Sequence, residues 1–224
     1  MDQETFVEQL QNPKTFGLSN KADIQLIQTH ISFVVLTKSF AYKIKKSVDF
    51  GFLDFSTLEK RKHFCHEELR LNSRLCPELY KDVIKFTETS DGKHIEINGE
   101  GSVVDYAVKM KLFPQENIMT HLLQKQKITS DHIDELVDEL VTFYEKSSAT
   151  EEIASFGSID AVKQNIDENF EQTKDKIDIT ISKDEFTHIK QANELFFKNK
   201  NDLLKHRKKN GYIKSCHGDL HSGN

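Results

Sequence analysis

The sequence predicts an α+β protein of two lobes: an antiparallel, β-rich N-terminal half with one main helix, then a helical C-terminal half. Three observations predict it. Runs of β-branched and aromatic residues with a period of two fill residues 23–110. A single long helical pattern interrupts them between residues 56 and 75. Beyond Phe113-Pro114 the period becomes helical, most clearly in Ile133, Leu136, Val137, Leu140, Val141 and Tyr144. The break near residue 112 divides the chain into lobes 1–112 and 113–224.

Asp2–Gln11 reads as a short amphipathic helix stopped by Asn12-Pro13. Strands are expected over Asp23–Gln28, Ser32–Leu36 and Ser39–Ile44, with Thr37-Lys38 as a two-residue turn between the last two. Ser56 or Thr57 then starts the main helix, which runs to Leu75 and places Phe64, Glu68, Leu71 and Leu75 on one face; Pro77 stops it. Three more strands follow at Val83–Thr87, His94–Ile97 and Val103–Met110, the first two joined by an Asp91-Gly92 hairpin turn. Residues 158–175 and 183–209 read as further helices, rich in Lys, Glu, Asn and Gln.

Composition narrows the function classes. With 30% charged residues and a net charge of −5, the chain is a poor binder of nucleic acid or of a membrane surface. The basic runs Lys43–Lys46, Lys60–Lys62 and His206–Lys209 are short and read as solvated faces. Three cysteines without paired spacing point to reduced thiols and a cytoplasmic setting, with Cys65 and Cys76 as small core residues on a helix face. The acidic N-terminus lacks the pattern of a signal peptide, and no apolar run is long enough to span a bilayer.

Two places carry chemistry. In His217-Gly-Asp219-Leu-His-Ser-Gly-Asn224 the Asp and Asn stand five apart, with a His two residues before the Asp. That spacing suits a phosphoryl-transfer loop in which the Asp handles an acceptor hydroxyl and the Asn holds a metal ion. In the strand Phe40-Ala41-Tyr42-Lys43, alternation puts Ala41 and Lys43 on one face, leaving room for a flat base beside an amine that reaches phosphates. Glu68, a charge on the apolar stripe of the next helix, needs a partner, and Lys43 is the candidate; Glu67 points elsewhere.

On these residues the chain resembles the aminoglycoside phosphotransferase-like branch of the protein-kinase-like fold, the group that includes choline and fructosamine kinases. The Gly between His217 and Asp219 is typical of that branch. Ala41-Tyr-Lys-Ile-Lys-Lys, followed by Phe52-Leu-Asp-Phe-Ser-Thr-Leu-Glu-Lys-Arg-Lys-His-Phe-Cys65, resembles a bacterial subgroup in which a P-loop ATPase domain often follows. The resemblance covers residues 22–224 and implies a two-lobed kinase-like fold, ATP and Mg²⁺ as cofactors, and a small molecule with a hydroxyl as acceptor. It implies that Lys43 contacts phosphates while Glu68 holds it. The same resemblance implies that Met110-Lys-Leu112-Phe113 would form the adenine hinge. By it Asp219 would orient and deprotonate the acceptor, Asn224 would bind Mg²⁺, and His217 would brace the loop.

Gln28-Thr-His-Ile-Ser32 stands where a Gly-rich phosphate loop would lie, leaving Ser32 as the contact there. Asp49-Phe50-Gly51 spells the kinase metal-binding tripeptide but precedes the catalytic loop, so the metal-binding Asp is expected beyond Asn224. A lobe ending there predicts exposed apolar surface, a longer natural protein, weak catalysis by this stretch by itself, and a second copy as a cover. Two other readings stay open: a nucleotide-binding module without catalysis, and a metal hydrolase using His217, Asp219 and His221.

Overall fold

The computed structural model describes residues 2–223, so Asn224, expected to bind Mg²⁺, lies outside the described residues. The chain is α+β. Its element order is α1 (Gln3–Gln9), β1 (Gln25–Gln28), β2 (Ser32–Leu36), β3 (Phe40–Lys45), α2 (Leu58–Asn72), β4 (Tyr80–Glu88), β5 (Ile95–Ile97), β6 (Val103–Lys111), α3 (Met119–Gln124), α4 (Ser130–Lys146), α5 (Glu151–Ser155), α6 (Ile159–Thr173) and α7 (Lys183–Lys209). The six strands form one antiparallel sheet in the order β1-β2-β3-β6-β4-β5.

Two compact units divide the chain: Met1–Thr129 with Asp219–Asn224, and Ser130–Gly218. The stretch that follows Phe113 up to Thr129 therefore belongs to the unit that holds the sheet, and so does the segment that starts at Asp219.

The first unit covers both faces of its sheet. On one face Tyr42 and Ile44 of β3, Phe33 and Val35 of β2, Ile84 and Phe86 of β4 and Ala107 of β6 pack with Phe6 and Leu10 at the N-terminal end of the chain. Phe6 meets Phe86 edge-on at 5.7 Å, and Phe16 meets Tyr42 at 5.0 Å. Alternation turns Ala41, Lys43 and Lys45 to the opposite face, where α2 lies, with Cys65 fully buried. Thr57 starts α2 by accepting the Lys60 N–H on its hydroxyl.

In the second unit α6 and α7 pack side by side, and Phe170 meets Phe186 edge-on at 5.4 Å. Ser182 and Glu185 form a reciprocal capping box at the start of α7. Gly157 is needed for packing: a Cβ there would lie 2.4 Å from the Ile213 side chain. Lys214 donates to the Tyr144 carbonyl at 2.7 Å, tying the chain after α7 to the end of α4.

Three expectations need correction. The main helix stops at Asn72, not Leu75, and its last turn closes with Ser73 donating to the Leu69 carbonyl. Leu75 is thus outside the stripe that holds Glu68. Cys76 is exposed, because the helix has ended before it, whereas Cys65 is a core residue as expected. The runs Lys43–Lys46 and Lys60–Lys62 are not solvated faces: the strand register buries Lys45, and the sheet-facing side of α2 buries Arg61. Among the described residues no helix is long and apolar enough to cross a membrane.

Candidate functional site

The site grows from the face of α2 that turns to the sheet. Arg61, Cys65, Glu68 and Asn72 recur at three and four residues, so they share that face. Each polar member meets a partner. Arg61 donates Nε to both Asp105 carboxylate oxygens, at 2.9 and 3.1 Å, and Nη1 to the Phe55 carbonyl. Asn72 donates to the Tyr80 hydroxyl at 3.1 Å. Glu68 faces two lysines of β3.

Lys45 donates to Glu68 Oε2 at 2.7 Å, with side-chain exposures of 8% for Lys45 and 11% for Glu68. Lys45 also lies 4.8 Å above the Phe55 ring. Lys43 Nζ stands 2.9 Å from Glu68 Oε1, and its side chain is 36% exposed. Although that distance suffices for an ion pair, Oε1 accepts no aligned hydrogen bond. The contact is therefore mainly coulombic, and the charge of Lys43 acts on Glu68 no less than that of Lys45; what sets Lys43 apart is its exposure.

Burial acts most strongly on Glu68 and pushes its carboxyl upward, but the charges of Lys43 and Lys45 together overcome it and leave the carboxyl below its usual range. Burial raises Asp105 despite the Arg61 guanidinium beside it. It also pushes the Cys65 thiol and the Tyr80 hydroxyl up to about 12, so both stay protonated.

Ala41 is buried on the face that carries Lys43, and its cross-strand partner is Met110. Beyond β6, Leu112 already donates its N–H to the Ser39 carbonyl at 2.9 Å, and Lys111 donates to the Leu79 carbonyl. Ser32 is 1% exposed. It donates its N–H to the Thr29 hydroxyl, and its carbonyl accepts from the Thr29 N–H. The turn that holds it points His30 and Ile31 outward instead. Asp49-Phe50-Gly51 is a tight turn: Gly51 adopts φ +80° and donates to Asp49 Oδ1, and Phe50 donates to the Leu53 carbonyl.

The C-terminal segment is anchored by Thr120. Its N–H and hydroxyl both donate to the Ser222 carbonyl, at 3.0 and 2.8 Å. Asp219 is 82% exposed, and His221 Nε2 lies 3.7 Å from its Oδ2. His217 belongs to the second unit and is half-buried. Among the described residues, no group of three His, Cys, Asp or Glu side chains is placed to hold a metal ion.

Sequence reading paired Glu68 with Lys43 and missed Lys45, Arg61 and Asp105. All three left a trace. Lys45 is two residues from Lys43 on the same strand face; Asp105 interrupts an apolar strand; Arg61 stands seven residues before Glu68, two helical turns along the same stripe.

The chain is 27% identical over 197 residues to an uncharacterized protein of Mycobacterium tuberculosis (strain ATCC 25618 / H37Rv) and to one of Mycobacterium bovis; the alignments cover 88% of this chain. It spans 38% of the length of these curated relatives. No family model matches the chain, and no solved structure matches it.

Proposed function

We propose that this chain is the nucleotide-binding part of an ATP-dependent phosphotransferase acting on a hydroxyl of a small molecule. The observation that carries the reading is Glu68 holding Lys43, an amine still one-third exposed, on the sheet face that also carries Ala41. The strand order, with β3 beside β6 and the main helix inserted between β3 and β4, supports it, because a kinase-like lobe supplies its glutamate from the helix directly after the lysine strand.

The residues fit a triphosphate in part. Lys43 offers a positive charge beside a small residue. The Leu112 N–H is already donated, so adenine would take its backbone donor from farther along, starting with Phe113. Ser32 faces inward, so the turn tip at His30 and Ile31 would lie nearest the phosphates. ATP with Mg²⁺ would supply the transferable phosphoryl group and neutralise its charge. Lys43 would orient the phosphates. Asp219 would position the acceptor hydroxyl and take its proton. The anchored Thr120–Ser222 contact would fix the backbone just beyond Asp219. A hydrolase centred on His217, Asp219 and His221 has less support, since the described residues hold no three-residue metal group.

The test is calorimetric titration of MgATP into the 224-residue chain and its Lys43→Met variant, with phosphoryl transfer assayed on the same chain and its Asp219→Asn variant. Saturable binding that weakens about tenfold or more in Lys43→Met is expected, since a charge-assisted contact contributes ~1.5–3 kcal/mol. Transfer lost in Asp219→Asn is expected as well. Absence of MgATP binding by the parent chain overturns the nucleotide reading. Binding without transfer identifies a non-catalytic module.

A further inference from the structure

Two lysines share one buried carboxylate, and the sharing is unequal. Lys45 is nearly sealed, hydrogen-bonded to Oε2 and seated on the Phe55 ring. Lys43 is one-third exposed and touches Oε1 without an aligned hydrogen bond. The cluster holds two ammonium groups against one carboxylate, so it keeps an excess positive charge. The neighbouring Arg61–Asp105 pair is already matched and does not cancel it. The excess rests on Lys43, still one-third in water, where an anionic counter-charge can meet it. The group that can turn toward one is Lys43, since Lys45 has almost no path to solvent.

We propose a division of labour: Lys45 is a positioning residue that holds Glu68 in place, which leaves Lys43 free to turn its outward donors to an anionic ligand. An ammonium has three donors, so Lys43 can meet a phosphate with or without one N–H still toward Glu68. Here the carboxylate keeps a partner throughout, so Lys43 can move to a phosphate without stranding a buried anion. A single exposed ammonium beside small and apolar side chains asks for an anion, and the nucleotide reading makes that anion a polyphosphate. This deepens the nucleotide reading and rests on it for the identity of the anion.

Competitive amine labelling of the intact chain, read by mass spectrometry residue by residue, tests both halves. Without ligand, Lys43 should label about tenfold or more faster than Lys45, as a labelling barrier higher by ~1.4 kcal/mol requires. Equal labelling overturns the division, whatever binds. Addition of MgATP or of inorganic triphosphate should protect Lys43 and leave Lys45 unchanged. No protection by either overturns the nucleotide reading and the ligand role of Lys43. Protection by triphosphate alone keeps the division and replaces the nucleotide by a simpler polyphosphate.

A variant pair supplies the second readout. Lys43→Met should weaken MgATP binding with little change in the urea midpoint. Lys45→Met should lower the urea midpoint, with Lys45→Arg restoring it. The reverse pattern, in which Lys45→Met loses binding at an unchanged midpoint, assigns the ligand to Lys45 and overturns the proposal.

Discussion

The two compact units bury very different amounts of their chains. In the first, Leu10, Val35, Ile44, Phe86 and Ala107 are wholly inaccessible, and so are Cys65 and Val108 on the other face of the sheet. In the second, Phe143 is the one buried side chain among the described residues. Its helices keep Val137, Val141, Ile189 and Leu195 about half exposed. The reason lies in what each unit can build. A six-stranded sheet with helices on both faces encloses a volume, whereas helices with a single apolar stripe enclose little unless something lies on that stripe. The contrast bears on chemistry. Only the enclosed unit can keep charges out of water, and it holds both buried ion clusters, Glu68 with its lysines and Arg61 with Asp105. Ion pairs of the second unit, such as Lys163–Asp167, are solvated and contribute little.

The largest expected difference between the units comes from truncating one apolar side chain in each. Phe86→Ala should cost about 3–5 kcal/mol, and Leu195→Ala, at 58% exposure, should stay within about 0.5 kcal/mol. Urea denaturation followed by circular dichroism measures both. A large loss for Leu195→Ala would show that its face is covered in solution and would break the contrast.

Next comes the charge cluster. Glu68→Gln should destabilise the chain by about 3 kcal/mol at neutral pH, because two amines lose their buried anion. The variant should also change the acid limb. The carboxyl of Glu68 is held below the ordinary glutamate value of 4.5 in the folded chain. Its stabilisation is therefore complete above that value and is lost as pH falls through the lower folded value. The parent should lose stability in that window, and Glu68→Gln should lose less over the same interval. Parallel acid limbs for the two proteins would place the titration elsewhere.

The smallest effect is local. Thr120→Ala removes the hydroxyl contact to the Ser222 carbonyl and leaves the backbone contact, costing about 1 kcal/mol. Hydrogen exchange should quicken in the peptide that contains Ser222 and Gly223, with β4 and β6 unchanged. Exchange that quickens throughout the sheet would mean the segment supports the whole unit rather than resting on it.

Much of the first unit was legible because its signals are local. Alternation placed the strands, the Asp91-Gly92 turn marked its hairpin, and the stripe through Glu68 marked the face of α2. Gly92 indeed adopts φ +67°. The helix end was misplaced because Leu75, four residues after Leu71, continues the apolar spacing while the backbone turns into a different hydrogen-bond arrangement. Ser32 was rightly placed at the start of a strand but also offered as a phosphate contact, because no local signal says which way its side chain faces beside a short turn. The short α3 and α5 were not foreseen, since six and five residues carry too little periodicity to recognise.

By itself the sequence determined the order of the strands and of the long helices, the shared face of Ala41 and Lys43, and the need of Glu68 for a cationic partner. Each follows from the repeat of a strand, the repeat of a helix, or the cost of a lone buried charge, all readable within a few residues. Tertiary structure decided that Glu68 serves two lysines, that Lys45 is sealed while Lys43 is not, that Arg61 finds Asp105 forty-four positions away, and that Ser222 rests on Thr120 across 102 positions. Those outcomes depend on how sheet, helix and returning chain enclose a volume. Enclosure sets which charges lose their water, and only the packed fold fixes that.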